Sequence, residues 1–226
     1  VGGIISFAVH HRILTGRWTE DIQTKVGLTV VLITSIVVML SSGIDFIDAL
    51  FTVVSAITST GYSTVSIPHL SDLSLFILVL LMMVGGSTGT TTGGIKLIRV
   101  IVILKSLYYH IQRALLPPNA LICRRIGKYL LSQDLLVDAS LIAFAYLIHY
   151  GITTLILISL GYPPFESLFE AVSLVANMGL SVDVVNHSMS PLGKLVGIFM
   201  MWVGRLEFLP VYVLVLYLLR RLRRLW

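Results

Sequence analysis

Charge is scarce in this sequence. Of its 226 residues only 12% are Asp, Glu, Lys or Arg, about half the share of an ordinary soluble domain. With 56% hydrophobic residues and a mean hydropathy of +0.94, the composition excludes a soluble domain and specifies an integral membrane protein. Cysteine is almost absent too. The lone Cys123 rules out an intrachain disulfide and reads as a passive thiol. The chain opens at Val1 with no initiator Met and no basic, apolar, small-residue pattern of a secretory signal. No Ser-His-Asp arrangement and no metal-ligand cluster stands out, and His69 and His187 fall in polar turns. Those gaps argue against an enzyme. A pI near 9.5 would suit a nucleic-acid partner, but the placement of the cations, below, points to a membrane surface instead.

Polar sequence inside an apolar chain is therefore informative. Thr58-Ser59-Thr60-Gly61-Tyr62-Ser63 follows an apolar stretch of eleven residues, 46–56, too short to cross a bilayer of about 30 Å. An apolar run from Leu73 to Val84 comes next. A half-length helix, a polar loop and a full helix predict a re-entrant hairpin. Irregular backbone survives at membrane depth only if buried in protein or lining water, so the loop is a candidate pore lining. Backbone carbonyls with Ser and Thr hydroxyls suit a dehydrated monovalent cation such as K⁺. Gly61 permits torsions that turn successive carbonyls to one side, and the half-helix aims its negative C-terminal end at the same point. The competing reading is an ordinary polar turn.

A second copy shifts that balance. At a constant offset of 118 residues, Gly43 meets Gly161, Asp48 meets Glu166, Val54-Ser55 meets Val172-Ser173, Gly61 meets Gly179 and Gly86 meets Gly204. His69 and His187, and Met82-Met83 and Met200-Met201, match as well; the methionine pairs read as packing residues. The second loop is Ala176-Asn177-Met178-Gly179-Leu180-Ser181. Such a repeat governs the fold: an all-α membrane protein of tandem helix–pore-loop–helix (M1-P-M2) units. Residues 1–11 are expected to end a preceding transmembrane helix, 12–112 to form one unit and 113–226 the other. Spanning helices are expected over 26–40, 73–110 with an interruption, 137–158 and 192–219.

The interruption is Gly85-Gly86-Ser87-Thr88-Gly89-Thr90-Thr91-Thr92-Gly93-Gly94. Each interior glycine costs a helix roughly 1 kcal/mol, so this segment should unwind as a neutral intramembrane loop, a candidate gate. It is not a phosphate-binding loop, because Lys96 is followed by Leu97 rather than Ser or Thr.

Fourteen of the 16 basic residues, from Arg12 and Arg17 to Arg220, Arg221, Arg223 and Arg224, fall on connectors of one side. The positive-inside bias makes that side cytoplasmic. Both loops then face outward, with Asp45, Asp48, Asp72, Glu166, Glu170 and Asp183 expected at an acidic outer mouth. Inside the last apolar run stand Arg205 and Glu207. Two residues apart on a helix, they do not face each other. Glu207 is read as a partner to another helix. Arg205, aligned with Ser87, is expected to project toward the pore and hold the Gly-rich segment, or else to pair with a carboxylate outside this stretch.

These motifs resemble the membrane subunit of the Trk/Ktr potassium-uptake systems. The likeness rests on Thr58-Ser59-Thr60-Gly61-Tyr62, Gly85-Gly86-Ser87-Thr88-Gly89 through Gly93-Gly94-Ile95-Lys96, Pro118-Asn119-Ala120, Asn177-Met178-Gly179-Leu180 and Gly204-Arg205-Leu206-Glu207. The resemblance implies four repeats around one pore, of which these look like the third and fourth, with K⁺ held by Thr58, Ser59, Thr60, Gly61, Asn177, Met178 and Gly179. It also implies a gate of Gly85–Gly94 with Arg205. As partners it implies two further repeats of the same protein, a homodimer and cytoplasmic nucleotide-binding (RCK-type) regulatory subunits. No organic cofactor and no nucleic acid is implied. Leu180-Ser181 departs from relatives that carry a second glycine there. The expected function is potassium uptake across the cytoplasmic membrane. A Na⁺-conducting or Na⁺/K⁺-coupled relative, or a non-conducting assembly half, remains open.

Overall fold

The computed structural model describes residues 22–90, 92–117, 125–126 and 129–223. The expected helix tail over 1–11, most of the connector behind it, the Pro118-Asn119-Ala120 stretch and Cys123 lie outside the described residues. The first unit opens with α1 (Ile22–Ser42). At about 1.5 Å per residue, its 21 residues match the hydrocarbon thickness. Its hydroxyls fold back on their own helix, Thr34 Oγ1 to Val30 O at 2.7 Å and Ser35 Oγ to Val31 O at 2.7 Å. That leaves no orphan donor facing lipid. The half-helix α2 (Phe46–Thr58) follows, then a 3₁₀ turn (Ile67–His69) built on Pro68, and α3 (Asp72–Val84). Beyond the Gly-rich segment, α4 (Leu97–Leu115) resumes.

A minimal antiparallel hairpin, β1 (Arg125–Ile126) with β2 (Tyr129–Leu130), interrupts the connector. The second unit then repeats the plan. The long span α5 (Gln133–Ser159) starts at Ser132, whose hydroxyl accepts from Leu135 N at 3.2 Å. The half-helix α6 (Pro164–Val175) has its proline in the first turn, where the missing N–H is harmless. α7 (Pro191–Arg205) and α8 (Leu209–Arg223) complete the unit.

The last pair corrects an expectation. Residues 192–219 read as one spanning helix, but α7 and α8 meet at 105°. Pro210 explains part of the break, since a proline in a helix interior removes a backbone hydrogen bond and clashes with the preceding turn. Here it falls in the first turn of α8 instead. The bend itself is made by Glu207 and Phe208, both in left-handed torsions at φ 59° and 53°. Both units therefore break their second helix, at Val84 and at Arg205, only the first of which the glycines announce.

Helix α1 packs on α2 and α3, α5 on α6 and α7, and α3 crosses to α6, joining the two units. One core runs through both, with Val38, Val53, Leu78 and Met82 from the first and Tyr146, Phe169 and Val175 from the second fully buried. In lipid such packing stabilises by close van der Waals contact rather than by escape from water. Opposite faces carry Leu32, Ile33, Phe144, Leu155 and Ile198, each more than half exposed, as bilayer contact requires. At the loop end of the first unit a serine cluster ties α1 to α3. Ser41 Oγ and Ser42 Oγ both meet Ser74 Oγ, at 2.6 and 2.7 Å, and Ser42 Oγ accepts from Ser71 N at 3.1 Å.

Candidate functional site

The two polar loops meet backbone to backbone. At Gly61 an added Cβ would lie 2.7 Å from Met178 O and 3.0 Å from Gly179 Cα, and at Gly179 it would lie 3.2 Å from Gly61 Cα. Both glycines hold positive φ, 75° and 91°, so each position demands glycine on two counts, torsion and space. Two residues earlier, at the C-terminal ends of the half-helices, Ser59 and Asn177 are also left-handed, at φ 55° and 54°. Positive φ at alternate residues turns a loop's carbonyls toward one side instead of alternating them. The offset of 118 holds in the hydrogen bonds as well, Thr60 N to Ser55 O at 3.2 Å and Met178 N to Ser173 O at 2.9 Å.

The remaining loop residues divide by environment. Thr58 ends α2, with its hydroxyl on Val54 O at 2.7 Å, and Thr60 is exposed. Tyr62 is 71% exposed. In the second loop Ala176, Met178 and Leu180 are buried. Leu180 O accepts from Ser173 Oγ at 2.6 Å, and Asn177 Nδ2 donates to Met201 O at 3.0 Å. Met82 and Met200 pack in the core as expected, but Met201 is 42% exposed and contributes its carbonyl rather than its side chain.

The Gly-rich segment folds under this meeting point. Gly93 N donates to Ser59 Oγ at 3.1 Å, and a Cβ on Gly93 would fall 1.8 Å from Ala176 O. The segment thus touches both loops at once. Its far end is clasped by Gln23 of α1, whose Oε1 accepts from Ser87 Oγ, Thr88 N and Thr88 Oγ1 at 2.9, 3.2 and 3.0 Å. The base of the excursion is a closed neck, where Ile95 N, Lys96 N and Leu97 N donate to Met83 O, Val84 O and Gly86 O at 3.0, 2.7 and 3.0 Å. Arg205, at the end of α7, borders a cavity of about 210 Å³ with Thr90, Thr92, Gly93, Lys96 and Glu207. Glu207 bonds Lys96 Nζ and, at 2.8 Å, Arg99 Nη2. It is the cross-helix partner expected of it, joining the α7–α8 bend to the start of α4.

Glu170 departs from its expected place among the mouth acids. It is 1% exposed, turned into the protein behind the second loop. Asp48 does face the loop side and accepts from Thr64 Oγ1 at 2.7 Å. Gln23, Ser173, Lys96 and Arg99 shape the site without having been singled out for it. Ser173 is marked by its match to Ser55 in the repeat, and Glu170 by being an acid flanked by Phe169, Ala171 and Val172.

Comparison with known proteins places this geometry. A family model described as TrkH, cation transport protein, matches residues 19–220. An uncharacterized cation transporter of Methanocaldococcus jannaschii is 46% identical over 214 residues, covering 95% of this chain and 45% of the relative. The Trk system potassium uptake protein TrkH of Escherichia coli is 30% identical over 228 residues, covering 92% of this chain and 46% of that protein. The crystal structure of the potassium transporter TrkH from Vibrio parahaemolyticus superposes with a TM-score of 0.82 at 21% identity, over 94% of this chain and 49% of that one. The chain spans about half the length of the curated relatives it matches. With the family model covering most of its residues and its fold shared by a solved potassium transporter, the chain belongs to the TrkH family of cation transport proteins.

Proposed function

We propose that this chain supplies two of the four strands of a carbonyl-lined filter for potassium uptake across the cytoplasmic membrane, as a transporter and not an enzyme. The strands are Thr58–Tyr62 and Ala176–Leu180, with K⁺ held at Thr58, Ser59, Thr60, Gly61, Asn177, Met178 and Gly179. Two further M1-P-M2 units of the same protein complete the ring, with the present pair as the third and fourth. Filter loops open to the outside and the basic connectors lie in the cytoplasm, where nucleotide-binding regulatory subunits dock on a homodimer of pores. One observation carries the reading: Gly61 and Gly179 meet backbone to backbone, each two residues beyond a left-handed residue that ends its half-helix. Neutral carbonyls so arrayed replace the hydration shell of a monovalent cation.

Below the strands, the segment Gly85–Gly94 closes the path and Arg205 flanks it. Contact of Gly93 with Ser59 and with Ala176 O supports this placement, as does the cavity shared by Arg205, Thr90 and Thr92. The test is potassium uptake by cells lacking their own uptake systems, expressing the complete protein with Gly61 or with Gly61→Ser. Wild type should restore growth at low K⁺, and Gly61→Ser should lose it or admit Na⁺. Equal behaviour of the two, with both folded in the membrane, overturns the filter assignment.

A further inference from the structure

The second loop is held from behind by two side chains of its own half-helix. Glu170 and Ser173 are three residues apart, on one face of α6, and both are buried, at 1% and 5%. Ser173 Oγ accepts from Gly179 N at 3.2 Å while donating to Leu180 O at 2.6 Å. One carboxylate oxygen, Glu170 Oε1, then collects three donors in succession: Ser181 Oγ, Val182 N at 2.9 Å and Val185 N at 3.5 Å. Ser181 Oγ itself accepts from Asp183 N at 3.1 Å. Among the described residues Glu170 makes no ion pair. Its ligands are loop donors alone.

The first unit has no counterpart. At the matching positions, Thr52 Oγ1 bonds Asp48 O of its own helix at 2.8 Å, and Ser55 Oγ is buried without a hydrogen-bond partner. On the outer flank of that loop Thr64 Oγ1 donates to Asp48. The clamp on the second loop also engages Leu180-Ser181, where the chain departs from a double-glycine pattern.

We infer that Glu170 is a positioning residue for the second filter strand, and that discrimination between K⁺ and Na⁺ depends on its hold on Ser181 and Val182. This rests on the filter reading above. Selectivity is set by the number and direction of the carbonyls an ion meets, and Gly179 and Leu180 stand immediately before the clamped residues. Removing the carboxylate leaves a buried amide and a hydroxyl without acceptors, so the strand must shift to resolvate them.

The test is the K⁺/Na⁺ permeability ratio of the complete protein in planar bilayers, read from reversal potentials and compared with total flux. A merely structural role lowers the flux, by reducing the number of working pores, and leaves the ratio alone. Glu170→Ala should lower the ratio about tenfold, the equivalent of one hydrogen bond. Glu170→Gln, which keeps the accepting oxygen, should stay within about twofold of wild type, since the isostere preserves the contact. Thr52→Val, at the matching position of the first unit, should leave the ratio unchanged. If Glu170→Ala does not reach the membrane folded, Ser181→Ala removes one link of the clamp and should move the ratio the same way. An unchanged ratio in the folded Ala variants, or a Gln variant as impaired as Ala, overturns the inference. Gly179→Ala separates the two claims: if it alters the ratio while Glu170→Ala does not, the filter stands and the clamp falls. If neither alters it, the filter reading falls.

Discussion

Gly93→Ala puts the coupling between the Gly-rich segment and the proposed filter to a direct test. The added methyl would lie 1.8 Å from Ala176 O and 2.7 Å from Ala176 C, about 1.6 Å inside the 3.4 Å at which ordinary contact begins. Backbone cannot rotate out of the way as a flexible side chain does. Ala176 is fully buried, with Val172 and Val175 beside it in the same core, so the Gly-rich segment has to yield most of the distance. Yielding breaks the 3.1 Å bond from Gly93 N to Ser59 Oγ. Overpacking of this kind costs roughly 3 kcal/mol, at the upper end of its usual range. That amount lowers the melting temperature by about 6–12 °C in a domain of this size, and by less in a larger protein. The assays are thermal unfolding of the complete protein in detergent, followed by size-exclusion fluorescence, and K⁺ flux in proteoliposomes. Flux should change together with the melting temperature. If the segment yields, the K⁺/Na⁺ ratio is preserved while flux rises; if Ala176 yields, the ratio falls too. A variant with unaltered melting temperature and flux would refute the contact between segment and filter.

Two further outcomes follow from the same geometry. Gln23→Leu removes the acceptor for Ser87 and Thr88. On the proposed gate reading, losing about 1 kcal/mol of that tether should raise the open fraction, and so the flux at fixed voltage, about fivefold; unchanged flux would separate the tether from gating. Glu207→Ala leaves Lys96 and Arg99, with side chains only 12% and 16% exposed, facing each other without a counter-charge. The expected loss is about 2–4 kcal/mol, between the surface and buried limits for ion pairs, visible as a lower melting temperature that Glu207→Asp partly restores.

Much of this arrangement is legible in the sequence because the repeat is ungapped. Gly61 and Gly179, separated by 118 residues, mark where irregular backbone interrupts apolar sequence in each unit, and the five glycines of 85–94 announce the first broken helix. The α7–α8 bend is not legible in this way, because 192–219 reads as one apolar run in which Pro210 is the single proline, and left-handed torsion at Glu207 and Phe208 has no compositional mark. Charge alone groups Glu170 with the mouth acids, whereas its burial depends on the loop curling back over α6. The contacts of Gly93 with Ser59 and Ala176 join residues far apart in the chain, and no local pattern specifies such approaches.

The closed neck of the Gly-rich segment has a mechanical consequence. Ile95 N bonds Met83 O and Lys96 N bonds Val84 O, each across twelve positions. A helical step of four is thus preserved, with eight residues looped out. The segment is a spliced-in cassette whose two ends are pinned at one place. Gly85 and Lys96, both at positive φ, stand at its two ends and turn the chain out of α3 and back into α4. Cassette residues that touch nothing outside it are therefore exchangeable without moving α3 on α4, whereas Gly93, packed against Ala176 O, is not.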